Sequence, residues 1–530
     1  MKLAAIFSDH MVLQRNKKVK IYGSSSCEEC ISVAIDGYVT TQTVDAGDWE
    51  IELPPHEAGG PYELSVKSAS IIGVRERVIK DVLFGEVWLD NGQSNIEFEL
   101  QNSLGGLKEI EDAYYPEIRY FKCIKSPVLD EKFLKEEEKL VWHKLENGDF
   151  REMSGIAYFF ATYLYKTLGI PVGIIDCYQG GTSITCWLEM DRLKCLPVAE
   201  DYLKEFTEMT SGQTDEEFEK LLNDYNCLVE RHKKLAADAK AKNPNITPVE
   251  LDEVAGRYPW PPPMGLKSAF RPGGLVETMY KRVSSYSVKG IIYYQGEEDT
   301  LKNLEYYSAT GMNARYEVLL RELICQYREL SGDEKLPIVI VQLPMFIERE
   351  KDDSGDWAYL RAAQEKVAVQ TEGVEIVSLI DTGDYDDVHP ADKRTPGTRI
   401  ALNILSKIYG LKDDGAADMC LRTYRKEDAK LILSFSNTYG CVNILENKLL
   451  DIRREGTRMG HLYGFEVICQ GAGSEESVIP EAVIQGDEIV LKLPDGATVV
   501  RYAFFNYGKV NIYNGKKMPL RPFVICLSPK

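Results

Sequence analysis

Between Val82 and Tyr409, short apolar runs alternate with amphipathic stretches of helical period, and this alternation restricts the fold more than any other feature of the chain. Val82–Leu89, Val172–Cys177, Lys289–Gln295, Pro337–Leu343 and Val374–Ile380 read as strands. Between them, Ile156, Phe160, Tyr163, Leu164 and Leu168 share one helical face, with Ser154 placed to cap it. Tyr316, Leu319, Leu320, Leu323 and Tyr327 form a second such stripe, and Trp357–Gln370 and Gly397–Tyr409 are further helices. Strands that are apolar throughout and separated by helices predict an α/β three-layer core, a mostly parallel sheet with helices on both faces.

That core does not account for the whole chain. Its 530 residues exceed the roughly 250–300 at which a single core stops growing. Residues 1–81 carry short alternating runs at Val19–Tyr22, Ile31–Ile35, Trp49–Leu53 and Tyr62–Val66, punctuated by Gly37, Gly47-Asp48, Pro54-Pro55 and Gly59-Gly60-Pro61. This spacing predicts an N-terminal β-sandwich-like domain. The α/β pattern spans 82–410 and is interrupted at 196–263 by a charged segment with Phe218, Leu221, Leu222, Tyr225 and Leu228 at helical spacing. A solvated helical hairpin accounts for this insertion, and so does a lid over a site. Over 411–530 the helical period disappears and short strands return, which predicts a C-terminal β domain.

A net charge of −20 argues against nucleic acid as a partner, because phosphate binding needs clustered Lys and Arg. No apolar run approaches the roughly 20 residues of a membrane helix, and the apolar part of Met1–Phe7 is short for a signal peptide, so a cytoplasmic protein without a membrane partner is expected. The twelve cysteines are scattered and read as reduced thiols. Cys27 and Cys30 have CxxC spacing without a second pair or a paired His, so no metal and no cofactor is expected.

Open α/β sheets bind their ligands just beyond the carboxyl ends of the strands. Ser94 comes after the first strand in Gly92-Gln93-Ser94-Asn95, which presents a hydroxyl at a buried strand end. Tyr178-Gln179-Gly180-Gly181-Thr182 comes after the second, and a Gly pair lets backbone N–H groups approach a ligand. Gln295-Gly296-Glu297 lies beyond the third and offers a neutral carboxamide donor. Asp384-Tyr385-Asp386-Asp387-Val388-His389-Pro390 lies beyond the last, and His389 alone of six histidines combines a strand end with nearby carboxylates. Acyl transfer by serine needs a base for its proton, a group to orient that base, and donors for an oxyanion. A neutral imidazole takes the proton near pH 7, and an Asp accepts its Nδ1–H. The acidic cluster alone also suits a metal or a plain charged loop, and the elbow Gly-x-Ser-x-Gly is absent.

Taken together, Gly92-Gln93-Ser94-Asn95, Gly180-Gly181-Thr182, Tyr294-Gln295-Gly296-Glu297 and Asp387-Val388-His389-Pro390 resemble the sialate O-acetylesterase family of SGNH-type hydrolases. Met11–Arg15, Gly47-Asp48-Trp49, Trp357, Arg361, Gln364, Lys393, Gly397, Arg399, Gly464-Phe465-Glu466 and Val500-Arg501-Tyr502 extend the resemblance over nearly the whole chain except much of 196–263. The resemblance implies an SGNH-like core flanked by two β domains. It implies Ser94 as nucleophile, His389 as base and then acid, and Asp387 as the group that orients His389, with Asp386 the alternative by spacing. It implies an oxyanion hole from the N–H groups of Ser94 and Gly181 with the Gln295 side chain. The chain departs from the family at Asp90-Asn91, where Cys-Ser is usual, and at Tyr293 and Ile96.

The expected function is a serine carbohydrate esterase that removes O-acetyl groups, with O-acetylated sialic acid the substrate the resemblance implies. Arg271 and Arg361 are candidate partners for its carboxylate. The alternatives are a deacetylase of neutral acetylated oligosaccharides such as xylan fragments, a glycosidase, and a catalytically inactive sugar-binding protein.

Overall fold

The computed structural model describes residues 1–530 except 72, 244–245, 247, 312–314, 454–459, 471–474 and 528–530. Its central sheet is built from β1 (Gly73–Gly92), β2 (Tyr115–Lys122), β3 (Trp142–Leu145), β4 (Val172–Tyr178), β5 (Gly290–Tyr294), β6 (Ile338–Gln342) and β7 (Val374–Ser378). The order across the sheet is β3-β2-β4-β1-β5-β6-β7. All neighbours are parallel except β3, which closes one edge antiparallel to β2. From β1 the chain first builds one half of the sheet and then crosses to β5 to build the other. β1 therefore stands at the topological switch point, where open α/β sheets place their ligands.

β1 is longer than the expected Val82–Leu89. Its first half is exposed and pairs antiparallel with Gly59–Ser70, while Val82–Gly92 is buried on both faces inside the parallel sheet. The expected junction at 81/82 thus falls within one continuous strand, and the N-terminal strands Glu29–Ile35 and Tyr38–Val44 join the same eleven-stranded sheet. Val19–Ser25 and Gly47–Leu53 pair in a separate small sheet that shares the core.

Helices α1 (Gly155–Leu168), α2 (Asp215–Lys242), α3 (Arg315–Ser331), α4 (Asp356–Gln370) and α5 (Arg394–Lys407) match the predicted stripes within a few residues. Ser154 caps α1 by accepting the Ala157 N–H at 3.1 Å, and Gly169 ends it with φ of 65°. Side chains alternate across a strand. Trp88 of β1 packs edge-on against Phe160 of α1, while Asn91 accepts the Tyr327 hydroxyl of α3, so the two helices cover opposite faces. The described residues of 411–530 form two four-stranded sheets and a two-stranded one, Val442–Ile444 with Ile512–Asn514, around a second core that includes Leu431, Leu433, Val467 and Val500. The insertion is dominated by the 28-residue α2, which opens with a reciprocal capping box between Thr214 and Glu217. Among the described residues, no helix is long and apolar enough to cross a membrane.

Candidate active site

The central strand ends in a close backbone approach. Gly92 has φ of 139°, and a Cβ there would lie 2.0 Å from the Tyr294 carbonyl oxygen. Only glycine fits, and the chain turns at once into the short helix Ser94–Glu97. The turn brings the Ser94 hydroxyl to the sheet rim. There His389, delivered by the loop after β7, puts Nε2 2.7 Å from Ser94 Oγ. Burial, and after it the nearby Lys393 ammonium, hold the His389 imidazole below its ordinary range; Asp387 and Glu97 oppose this. The ring is therefore neutral at pH 7 and able to accept a proton.

Asp387 takes a different place from the one expected. Its Oδ1 accepts the backbone N–H of His389 at 2.9 Å, which fixes the loop rather than the ring. Asp386 turns away: with φ of 61° it accepts the Arg349 backbone N–H at 2.8 Å and pairs with the Arg349 side chain. The imidazole is instead supported through Asn95. The Asn95 amide donates to the Val388 carbonyl at 2.9 Å and to Glu297 at 2.7 Å, and its oxygen accepts from Lys393 Nζ at 2.8 Å. This side chain ties the nucleophile helix to the histidine loop and to the loop after β5. Burial brings the Lys393 amine down to about 7 and pushes the Glu297 carboxyl up to about 7. Asn95, Glu297 and Lys393 all belong to the family-like blocks of the sequence, yet residue spacing gives them no part in the site. Only their shared dependence on His389 and Ser94 placement, visible in three dimensions, reveals it.

The Gln295 side chain does not face the nucleophile as an oxyanion donor. Its carboxamide is wholly buried, and its two N–H hydrogens are shared among Gln93 Oε1, the Thr182 carbonyl and Asp299 Oδ2, at 3.1, 3.0 and 2.7 Å. Its oxygen accepts from the Tyr293 and Tyr316 hydroxyls. A carboxamide with every group committed has no donor left for a transition state. Gln295 instead positions Gln93, whose Oε1 also accepts the Gly296 and Glu298 N–H groups. The backbone N–H groups of Ser94 and Gly181 donate to nothing among the described residues, and remain available to an oxyanion. Gly181 has φ of 69°, a conformation that favours glycine, and Glu97 holds the loop by accepting the Gly180 N–H.

The two candidate arginines separate. Arg361 is buried, and its guanidinium donates to the carbonyls of Pro344, Ala503 and Phe505, binding α4 to the C-terminal region. It is a structural clamp with no route to a substrate. Arg271 is half-buried, donates to the Ser268 carbonyl at 2.6 Å, and forms no ion pair with a described carboxylate. Asp90 is buried beside Asp176 on the α1 face of the sheet, pointing away from Asn91. Burial, and then the Asp176 charge, raise its carboxyl well above the usual range, so it is neutral rather than a negative charge beneath the nucleophile.

Known proteins are similar to this chain in sequence and fold. The family model described as carbohydrate esterase, sialic acid-specific acetylesterase, matches residues 270–404, which include Gln295, Glu297, His389 and Lys393. The chain resembles the sialate O-acetylesterases. The mouse sialate O-acetylesterase is 24% identical over 449 residues, covering 78% of this chain and 74% of its own. The human sialate O-acetylesterase is 23% identical over 442 residues, with 78% and 72% covered. A solved carbohydrate acetylesterase from Xanthomonas citri superposes with a TM-score of 0.72 at 26% identity, covering 99% of this chain and all of that one. The likeness to the Xanthomonas citri carbohydrate acetylesterase therefore extends beyond the site loops to both flanking β regions.

Proposed function

We propose that the protein is a serine carbohydrate esterase of SGNH type that removes O-acetyl groups from sugars, O-acetylated sialic acid among them. The observation that carries the reading is the 2.7 Å approach of Ser94 Oγ and His389 Nε2 at the switch point of the sheet. The Ser94 oxygen attacks the acetyl carbonyl while Nε2 takes its proton. The tetrahedral oxyanion meets the N–H groups of Ser94 and Gly181. Collapse breaks the ester bond, and the imidazolium protonates the departing sugar oxygen. Water, deprotonated by His389, then hydrolyses acetyl-Ser94 and releases acetate. Asn95, Lys393 and Asp387 hold the histidine loop throughout.

The unpaired Arg271 supports an anionic sugar, since a guanidinium binds a carboxylate through two parallel hydrogen bonds. A second reading, neutral acetylated oligosaccharides, is favoured by the net charge of −20, which repels anions at long range. The deciding experiment is acetate release from an O-acetylated sugar by the native protein and by Ser94→Ala. The expected result is a loss of at least about 10³-fold in the variant, and equal rates refute the serine mechanism. Competition between O-acetylated sialic acid and acetyl-xylooligosaccharides separates the substrates. Lower turnover in Arg271→Ala for the sialic acid alone supports the anionic reading.

A further inference from the structure

We propose that Trp260 is the platform on which the acetyl-bearing sugar ring stacks, so that the helical insertion 196–263 selects the substrate that the sheet-borne residues cleave. The inference rests on the esterase reading above and assigns its sugar subsite. Three observations carry it.

The first is position. A Cβ on Gly181 would fall 1.9 Å from Trp260 Cη2, so the indole lies directly on the loop that offers an oxyanion donor. A Cβ on the preceding Gly180 would be 3.4 Å from Ser94 Cβ, so the same loop touches the nucleophile. An acetyl group held between Ser94 Oγ and the Gly181 N–H leaves its alcohol portion at the next surface outward, which includes the indole.

The second is exposure. Trp260 is 47% exposed, whereas Trp49, Trp88, Trp142, Trp187 and Trp357 are all at or below 5%. Leaving a large flat apolar surface in water is unfavourable, and a sugar ring offers a matching C–H face with hydroxyls around its edge.

The third is support. The Trp260 ring is held edge-on by Phe270 at a centroid distance of 5.8 Å. The neighbouring Pro259 carbonyl accepts the Tyr225 hydroxyl of α2 at 3.0 Å, and Pro261, Pro262 and Pro263 limit the backbone beyond. Further along, Phe218 of α2 packs on Gly265, Gln213 donates to the Met264 carbonyl at 3.2 Å, and Lys267 pairs with Asp215 at 2.7 Å. The long helix thus braces a strap that lays the Trp260 indole on the Gly181 loop. Arg271 comes directly after Phe270 and lies on the same strap.

The test compares an O-acetylated sugar with ethyl acetate, which has no ring to stack. In Trp260→Ala, kcat/KM for the sugar is expected to fall about 10–100-fold, mostly through KM. The fall on ethyl acetate should be smaller by at least about tenfold. Trp260→Phe should recover most of the lost sugar activity. Equal losses on both esters, or unchanged sugar kinetics, overturn the platform. Binding is read separately in the Ser94→Ala protein. There the acetylated sugar should shift tryptophan emission, and the shift should vanish when Trp260→Phe is added, because the other five indoles are buried. A shift that survives Trp260→Phe also overturns the platform. If the native protein cleaves neither ester, the esterase reading fails, and the emission experiment still decides whether Trp260 binds the sugar.

Discussion

Replacing Asp90 by Asn should make the protein more stable at alkaline pH and remove much of the pH dependence of its melting. Asp90 is fully buried, and neither carboxylate oxygen has a hydrogen-bond partner. Asp176 is its register neighbour on β4; one of its oxygens accepts from the Tyr178 hydroxyl and the Ser154 N–H, and the other has no partner. Burial raises the Asp176 carboxyl to about 6 despite Tyr178, Lys122 and Lys125, and lifts Asp90 well above its usual range. Both groups bind protons more tightly folded than unfolded, where a carboxyl titrates near ~3.9. Their contribution to stability is therefore complete below that value and is lost as pH rises through the folded pKa values. For Asp176 the window is from about 4 to about 6, roughly two units at ~1.4 kcal/mol each, or about 3 kcal/mol at most. Asparagine is the same shape, cannot ionise, and can donate to the empty Asp176 oxygen. A hydrogen bond to a charged group contributes about 1.5–3 kcal/mol. Asp90→Asn should therefore melt a few °C above the native protein at pH 8, with little difference at pH 4.5. Thermal unfolding followed by circular dichroism across pH 4.5–8.5 measures both. A variant that melts lower at pH 8, or keeps the native slope, would show that burial does not raise the affinity of these two carboxyls for protons.

The site itself sets other outcomes. Because burial and Lys393 hold the His389 imidazole below its ordinary value, kcat/KM should rise with pH through a midpoint below ~6.5; a midpoint above that value would contradict this environment. Asp387→Ala should cost about tenfold in kcat, far less than the ~10⁴ lost when an Asp that orients an imidazole ring is disabled, since here the carboxylate binds backbone. Gln295→Ala should lower the melting temperature together with activity, because it removes one hydrogen bond each from buried Asp299 and Tyr316 and takes the side-chain acceptor from the buried Tyr293 hydroxyl; activity loss with unchanged stability would restore it as an oxyanion donor. Asn95→Ala should lower kcat and the melting temperature together, because this buried side chain positions His389 through Val388 and also bonds Glu297 and the buried Lys393.

The parallel core was legible because its strands are buried on both faces and therefore apolar throughout, as in Val87-Trp88-Leu89 and Ile174-Ile175. β2 escaped notice because Glu117 and Arg119 interrupt its apolar run; Arg119 is buried by pairing with Asp81, a partner far away in sequence. β3 was missed for being four residues at an edge. In the site, Ser94 and His389 were readable from their places after strand ends. The orientation of Gln295 was not, since a carboxamide's direction depends on Asp299, Thr182 and Gln93, which only folding assembles. Nor could spacing show that Asp387 binds a main-chain N–H, or that the far end of the charged insertion returns an indole to Gly181.

The twenty-residue β1 has a consequence for how the molecule can be divided. A protein trimmed to begin at Val82 would keep the nucleophile's own stretch of backbone but sever it from the partner strand Gly59–Ser70 and from Val12–Gln14, which lies alongside Leu83–Gly85. The first eighty residues thus act as a buttress for the rod that carries Ser94, and cannot be exchanged like a detachable module.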